Sequence, residues 1–526
     1  MDITLWLMIV GWIFVLLWVP FIIYTNKKTH PKALFVLFFA EMWERFSYYG
    51  MRALLVLYMT KVMFIDLAQN IAETKAYGIY GSYTAMVYLF PVLGGLVADR
   101  FLGFRKTIVW GGILMALGHF TLALQGIKGL EGNLPFFFTA LAMIIVGNAF
   151  FKPNISSFLG TFYEMDDPRK DGAFSIFYMG VNIGSFLATL TCGYIGQQIN
   201  WHYGFGIAGI GMVLGLITFW LFSRGFGDKG LPPEEVMEGK LKIFGAKPDI
   251  PIIIISLIAI PICASILDLD ELMSTLLLII SILIIGYLLY YASTVKEKVD
   301  GQRLQVVVVL FFFHAIFWAL FEQAGGSLTL FADKNVDRWI GDTEIPASIF
   351  QSLNPLFIML LAPLFSYIWI KLRKAGKEPS TPMKFVLGLS QLALGFGVIV
   401  LAARFFADQE GLISIVFLAV MYLLHTTGEL SLSPVGLSMV TKLSPTKIVG
   451  FVMGAWFLSI SLGNKIAGFI GKLTTSEAID ENTPSSVTLE VYSDTYLIWG
   501  VGVVMAAAIL LLLVVPLLRK WMHGIH

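Results

Sequence analysis

About fifteen stretches of roughly 20 mostly apolar residues recur along this 526-residue chain, each long enough to cross a bilayer as a helix. They lie near 4–24, 33–60, 77–98, 107–126, 135–160, 172–195, 203–223, 249–266, 273–294, 304–332, 346–370, 383–405, 411–440, 448–472 and 494–518. Hydrophobic residues make up 57% of the chain and charged residues 13%, where a soluble domain carries about 25% charged. The chain therefore reads as an all-α integral membrane protein. Its net charge of +1 gives no reason to expect nucleic acid as a partner. Cys192 and Cys263 lie far apart in apolar segments and read as small buried hydrophobes, with neither a disulfide framework nor metal-ligand spacing.

Lysine and arginine orient the spans. About 25 of the 36 basic residues fall in every second loop, from Lys27–Lys32 through Arg100–Lys106 and Arg224–Lys247 to Arg519–Lys520. Those loops are read as cytoplasmic. The alternation is consistent only if the first helix spans with the N-terminus outside and the C-terminus is cytoplasmic. A cleaved signal peptide would have the opposite polarity, so the first helix reads as an added membrane helix. The segment from about 225 to 248 is polar and is followed by two apolar helices joined by the acidic DLDEL. Apart from the added first helix, six helices precede this insert and six follow it. The expected division is 1–30, an extra helix; 31–224, a six-helix bundle; 225–300, a loop and two-helix insert; and 301–526, a second six-helix bundle.

One span breaks the apolar rule. EMWERFSYYG, residues 41–50, carries Glu41, Glu44 and Arg45, and Arg52 follows. Each charge at membrane depth costs roughly 2.5–3.5 kcal/mol by insertion scales. With Tyr48 and Tyr49, these side chains fall on one helical face. Glu41 and Arg45 are i,i+4 neighbours and can pair, and the like charges of Glu41 and Glu44 favour a proton on one of them. Lys152, in GNAFFKPNISS, is a second intramembrane cation, and Pro153 beside it removes a backbone hydrogen bond. Glu322 in FWALFEQAGG reads as the only acidic residue well inside its helix, with Trp318 one turn earlier on the same face. Glu429 in TTGELSLSPVG is a lone carboxylate mid-helix, where Gly428 and Pro434 are expected to loosen the surroundings. Lys465 is a mid-helix charge without an obvious partner: Glu429 or water near the outer half are candidates. His314 and His425 read as satisfied core residues. No H-E-x-x-H motif or His/Cys cluster suggests a metal, and no phosphate loop suggests ATP.

GGLVADRFLGFRKTI, residues 94–108, resembles the loop between the second and third helices of the major facilitator superfamily. EMWERFSYYG, FYMGVNIGS (177–185), FWALFEQAGGS (317–327), FQSLNP (350–355) and GELSLSPVG (428–436) together resemble the proton-dependent oligopeptide transporter family. The resemblance covers roughly 33–520 and excludes the first helix. It implies a major-facilitator fold and proton-coupled import of di- and tripeptides by alternating access across a prokaryotic plasma membrane. A functional monomer is expected, with no cofactor besides the coupling proton.

The same resemblance distributes roles. Arg45 and Lys152 face the central cavity and engage the peptide carboxylate or the glutamates of the first motif. Glu429 takes the peptide ammonium, helped by Asn182 and Asn354. Glu322 pairs with Arg52, and protonation weakens that bridge. Glu41, Glu44 and Arg45 form a second proton-handling set. Tyr48, Tyr49, Tyr88, Trp318 and Trp456 line the substrate space. Asp99, Arg100, Arg105 and Lys106 form a gating loop, whose counterpart FSYIWIKLRKAGKEP reads as offering only basic charge. Some family members carry a histidine where this chain has Gly81, so proton handling is expected to rest on carboxylates.

One proton moving down about 100 mV releases about 2.3 kcal/mol, and one pH unit about 1.4 kcal/mol, enough to concentrate substrate a few hundred-fold. The alternatives are a relative carrying another small anion, zwitterion or drug, and a transporter-like peptide sensor. An intramembrane enzyme lacks a nucleophile–base pair in this sequence.

Overall fold

The structure, a computed structural model, describes residues 2–164, 167–476, 480 and 483–525, apart from the side chains of 433–435 and 437. Its α-helices in chain order are α1 (Ile3–Asn26), α2 (Lys32–Tyr58), α3 (Gln69–Leu89), α4 (Pro91–Val97), α5 (Gly103–Leu124), α6 (Leu134–Gly160), α7 (Lys170–Tyr194), α8 (Trp201–Phe222), α9 (Glu234–Met237), α10 (Asp249–Asp268), α11 (Asp270–Thr294), α12 (Lys298–Phe321), α13 (Ser327–Asn335), α14 (Leu353–Lys374), α15 (Thr381–Phe405), α16 (Ile415–Leu443), α17 (Val449–Lys472), α18 (Ser485–Thr495) and α19 (Val504–Trp521). Side-chain caps start several of them. Asp2 accepts from the Thr4 N–H at 2.8 Å, Asn133 from Phe136 at 3.0 Å and Asn200 from His202 at 2.9 Å. Two-residue strands pair Val336–Asp337 with Ile413–Ser414 and Trp339–Ile340 with Thr343–Glu344.

Thirteen stretches among the described residues are long and apolar enough to cross a membrane. One of them, Gln69–Leu124, contains both α3 and α5. α2 is not among the thirteen. It is a 27-residue helix in which Glu41, Glu44, Arg45 and Arg52 lower the mean hydropathy, and all four are buried.

The stretch read as one span over 304–332 is two elements. α12 ends at Phe321, a 3₁₀ turn covers Glu322–Gly325, and α13 begins at Ser327. Gly325 and Gly326, poor helix formers in succession, account for the break. α16 instead runs unbroken through Gly428. Gly428 serves helix packing there: a Cβ on it would stand 2.9 Å from the Gly388 carbonyl oxygen of α15. The side chain of Pro434 lies outside the described residues.

The chain forms two compact units. The first comprises Met1–Phe64, Leu89–Leu269 and Trp339–Pro355, and the second Ile65–Tyr88, Asp270–Arg338 and Leu356–His526. This partition differs from chain order, because α3 belongs with the later helices and the two insert helices fall in different units.

Small residues set the packing in the first unit. A Cβ on Gly184 of α7 would overlap the Met42 carbonyl oxygen of α2, and one on Gly180 would stand 3.1 Å from the Phe38 oxygen. These glycines, four apart in FYMGVNIGS, let α7 lie directly on the backbone of α2. Gly50 makes similar room for Cys192. Gly94 of α4 abuts the Ala149 carbonyl, the oxygen that Pro153 cannot bond from one turn along α6. Gly103 adopts φ +69°, and a Cβ there would meet the Leu231 backbone at 2.5 Å. α1 docks on α7: the Trp12 indole N–H donates to Thr191 Oγ1 at 2.9 Å, and Gly11 abuts Phe186 and Leu190.

In the second unit, Gly463 of α17 packs on the Ala315 carbonyl of α12. Gly81 of α3 faces Gly468 of α17, where a Cβ would lie 3.0 Å from the Gly468 Cα. A histidine at position 81 has no room, which gives the departure from the family pattern a steric reason.

Candidate functional site

Packing by Gly180 and Gly184 fixes the charged face of α2. Arg45 Nε donates to Glu41 Oε1 at 2.7 Å and lies 3.2 Å from Glu44 Oε2. Asn148 Nδ2 of α6 donates to Glu44 Oε1 at 3.2 Å. Glu41, Glu44 and Arg45 are 2%, 0% and 7% exposed, so bulk water does little to screen them. Two carboxylates and one guanidinium leave one excess negative charge in this pocket. The charge of Lys152, one turn beyond Asn148 on α6, acts on Glu44. A proton on one carboxylate cancels the same excess. The Arg52 guanidinium lies 5.5 Å from the Tyr49 ring centroid, within cation–π range, and the Tyr48 and Tyr49 rings are 5.2 Å apart. Asn182 uses its Nδ2 on the Tyr178 carbonyl of its own helix at 3.0 Å. Asn354 and Pro355 sit in the first turn of α14, directly after a 3₁₀ turn over Ala347–Ser352.

The second unit holds Tyr88, Trp318, Glu322, Glu429 and Trp456. Glu322 is buried and lies in the 3₁₀ turn that closes α12, within the candidate span Lys298–Gly325. His314 organises the two tryptophans. The Trp318 indole N–H donates to His314 Nε2 at 2.8 Å, so the imidazole proton sits on Nδ1 and donates to Ser459 Oγ at 2.6 Å. Ser459 passes its own proton to the Trp456 carbonyl at 2.6 Å, while the Trp456 ring stacks on His314 at 4.3 Å. His314 is thus the satisfied core residue the sequence suggested. His425 is buried too, 4.7 Å from the Phe396 ring, but its Nε2 has no hydrogen-bond partner among the described residues.

In the gating-type loop, Asp99 and Arg100 occupy a π turn over Ala98–Leu102. Arg105 Nε donates to the Lys229 carbonyl at 2.7 Å and its NH2 donates to the Gly227 carbonyl. Lys106 pairs with Asp249 at the start of α10. The counterpart segment carries more than basic charge. Glu378 accepts from Arg373 Nε at 2.6 Å and from Lys384 Nζ at 2.7 Å. Arg373 holds the Glu378 carboxyl down at about 2, and Lys384 assists.

Lys465 pairs with Asp270, the first residue of α11, a partner the sequence did not suggest. It also donates to Ser82 Oγ at 2.7 Å, and Lys472 binds the other oxygen of Asp270. Gly78 leaves room for the cluster, since a Cβ there would stand 3.2 Å from both the Asp270 carboxyl carbon and Lys472 Nζ. Sequence reasoning did not find Asn148, Glu378 or Asp270. Asn148 carried a positional signal, because it precedes Lys152 by four residues and so shares its face.

A bundle of membrane-spanning helices holding paired, buried charges defines a multi-pass membrane transporter, and comparison with known proteins places it. A sequence model of the POT family matches residues 105–487, and the chain belongs to that family. It is 38% identical over 504 residues to the peptide transporter YePEPT of Yersinia enterocolitica, covering 93% of this chain and 95% of that one. It is 36% identical over 500 residues to the di-/tripeptide transporter of Lactococcus lactis subsp. cremoris, covering 93% and 96%. The crystal structure of a peptide transporter POT in complex with sulfate superposes with a TM-score of 0.78 at 34% identity, over 94% of this chain and 96% of that one. The fold is that of the major facilitator superfamily, and the family comprises transporters, not enzymes.

Proposed function

We propose that this chain is a proton-coupled symporter that imports di- and tripeptides by alternating access, using residues 31–224 and 301–526 as its two bundles. The observation that carries the reading is the buried Glu41–Arg45–Glu44 set, whose excess negative charge can be met by Lys152 or by a proton. A peptide carboxylate arriving at Arg45 or Lys152 draws a cation away from those glutamates, and a proton then restores the balance. Binding and protonation favour each other by charge alone. Glu429 takes the ammonium, and the carbonyl oxygen of Asn182 is the amide atom suited to it, because the Asn182 N–H is engaged by Tyr178. Glu322 carries the proton whose release resets the cycle. The names of the similar transporters support the substrate class. The transporter acts as a monomer in the plasma membrane, N-terminus outside and C-terminus cytoplasmic, with the proton as its only coupling species.

Reconstituted vesicles with an imposed inward proton gradient test this. Labelled dialanine should accumulate many-fold above its level without the gradient. Equal accumulation in the two conditions sinks the reading.

A further inference from the structure

A groove of about 340 Å³ runs between α5, α8 and α10 in the first unit, apart from every residue assigned to substrate or coupling proton. Its walls are Leu102, Ile113, Phe219, Trp220 and Ile253. Phe219 is buried, but Trp220 is 69% exposed and Ile113 37%, so the groove opens sideways off the helix bundle. At one end it reaches Arg105, Lys106 and Asp249. That end is where α5 and α10 begin and α8 finishes, beside the polar segment that follows Phe226. An apolar cleft capped by charge at a membrane–water boundary, flanked by an exposed tryptophan, matches the profile of a phospholipid.

The mouth also has a sign. Lys106 is paired with Asp249, while Arg105 donates to the Gly227 and Lys229 carbonyls, lies 5.5 Å from the Phe226 ring and also feels the charge of Asp228. Among the side chains that line the groove itself, two cations stand with one carboxylate, and Asp228 lies outside the lining. Lys106 is half exposed and has three N–H donors, so it can hold Asp249 and a phosphate together. We propose that this groove binds one anionic membrane phospholipid. Its phosphodiester lies at Lys106 and Arg105, and one acyl chain lies along Leu102, Phe219 and Ile253. Trp110 stiffens the α10 side, donating its indole N–H to Ser256 at 3.0 Å.

Native mass spectrometry of the full chain, purified in detergent and mixed with phosphatidylglycerol or phosphatidylcholine of matched acyl chains, tests the site. One phosphatidylglycerol should be retained about five-fold over phosphatidylcholine, the factor one membrane-surface cation contributes. Lys106→Gln should erase the preference between headgroups. Trp220→Ala, at an exposed side chain, and Ile253→Trp, which fills the groove, should lower retention of both lipids. Unchanged thermal unfolding of Trp220→Ala shows that the loss is not misfolding. Equal retention of the two lipids, wild-type retention by both groove variants, or displacement of the lipid by inorganic phosphate alone would overturn the proposal.

Discussion

Asp270 is the counter-ion of Lys465. The pair joins the first residue of the second insert helix to the middle of α17, and Lys472 closes on the same carboxylate. Removing one partner of a buried pair costs about 3–5 kcal/mol, because the other charge stays buried without compensation. Lys465 is buried but Asp270 is 27% exposed, so Asp270→Asn should lower thermal stability in detergent by about 1–3 kcal/mol, leaving two ammonium groups facing each other. Adding Lys465→Gln should recover part of that loss. A wild-type unfolding curve for Asp270→Asn would show the cluster to be dispensable.

Neighbouring glycines of the gating-type loop should behave oppositely. A Cβ on Gly94 would overlap the Ala149 carbonyl, whereas a Cβ on Gly95 meets nothing within 4 Å. Gly94→Ala should cost about 3 kcal/mol or more by overpacking. Gly95→Ala should be neutral or stabilising by up to about 1 kcal/mol, as an alanine in a helix turn with open space around its Cβ. Thermal melts of the two single variants, run side by side, decide the matter, and equal effects would contradict the packing described.

Glu322→Gln should abolish proton-driven uptake while leaving counterflow exchange measurable, since exchange needs no net proton movement. Intact driven uptake in this variant would remove Glu322 from the coupling role and leave Glu41 and Glu44 as the candidates.

Glu378 predicts a pH dependence. Its folded value, about 2, lies below the ordinary 4.5 because Arg373 and then Lys384 stabilise the charged form. Its contribution is therefore fully present above pH 4.5 and is lost as pH falls through that value toward 2. The Arg373 side chain is largely exposed, so solvent screening limits the effect to about 1 kcal/mol or less. Between pH 5 and pH 3, Glu378→Gln should lose less stability than the parent protein, read as a smaller drop in melting temperature. Parallel losses would assign the acid sensitivity to other groups.

The spans and the charged face of α2 were legible because hydropathy and helical period are local properties. Glu41, Glu44 and Arg45 meet as their spacing requires. The helix break at Glu322 was not legible, because two glycines inside a hydrophobic run leave the hydropathy unchanged. Lys465 was unreadable for another reason. Its partner lies 195 residues away at the start of another helix, and no periodic signal spans that distance. Glu378 was visible in the sequence but is outnumbered by the four cations of its segment. The two tryptophans, expected to line substrate space, share one histidine, and Trp456 is 2% exposed.

The charges of α2 also bear on how the chain is made. A translocon that tested each segment alone would pass over this helix, since four ionised side chains weigh roughly 10 kcal/mol against partitioning into lipid. α2 must therefore enter the bilayer with its charges already matched and with help from its surroundings. α1, the strongly apolar segment just ahead of it, is made first. Its Trp12 ring lies 6.4 Å from Trp43 and 6.3 Å from Phe46 on the side of α2 away from the charges. α1 thus covers the apolar side of α2, opposite the side on which Asn148 of α6 bonds Glu44.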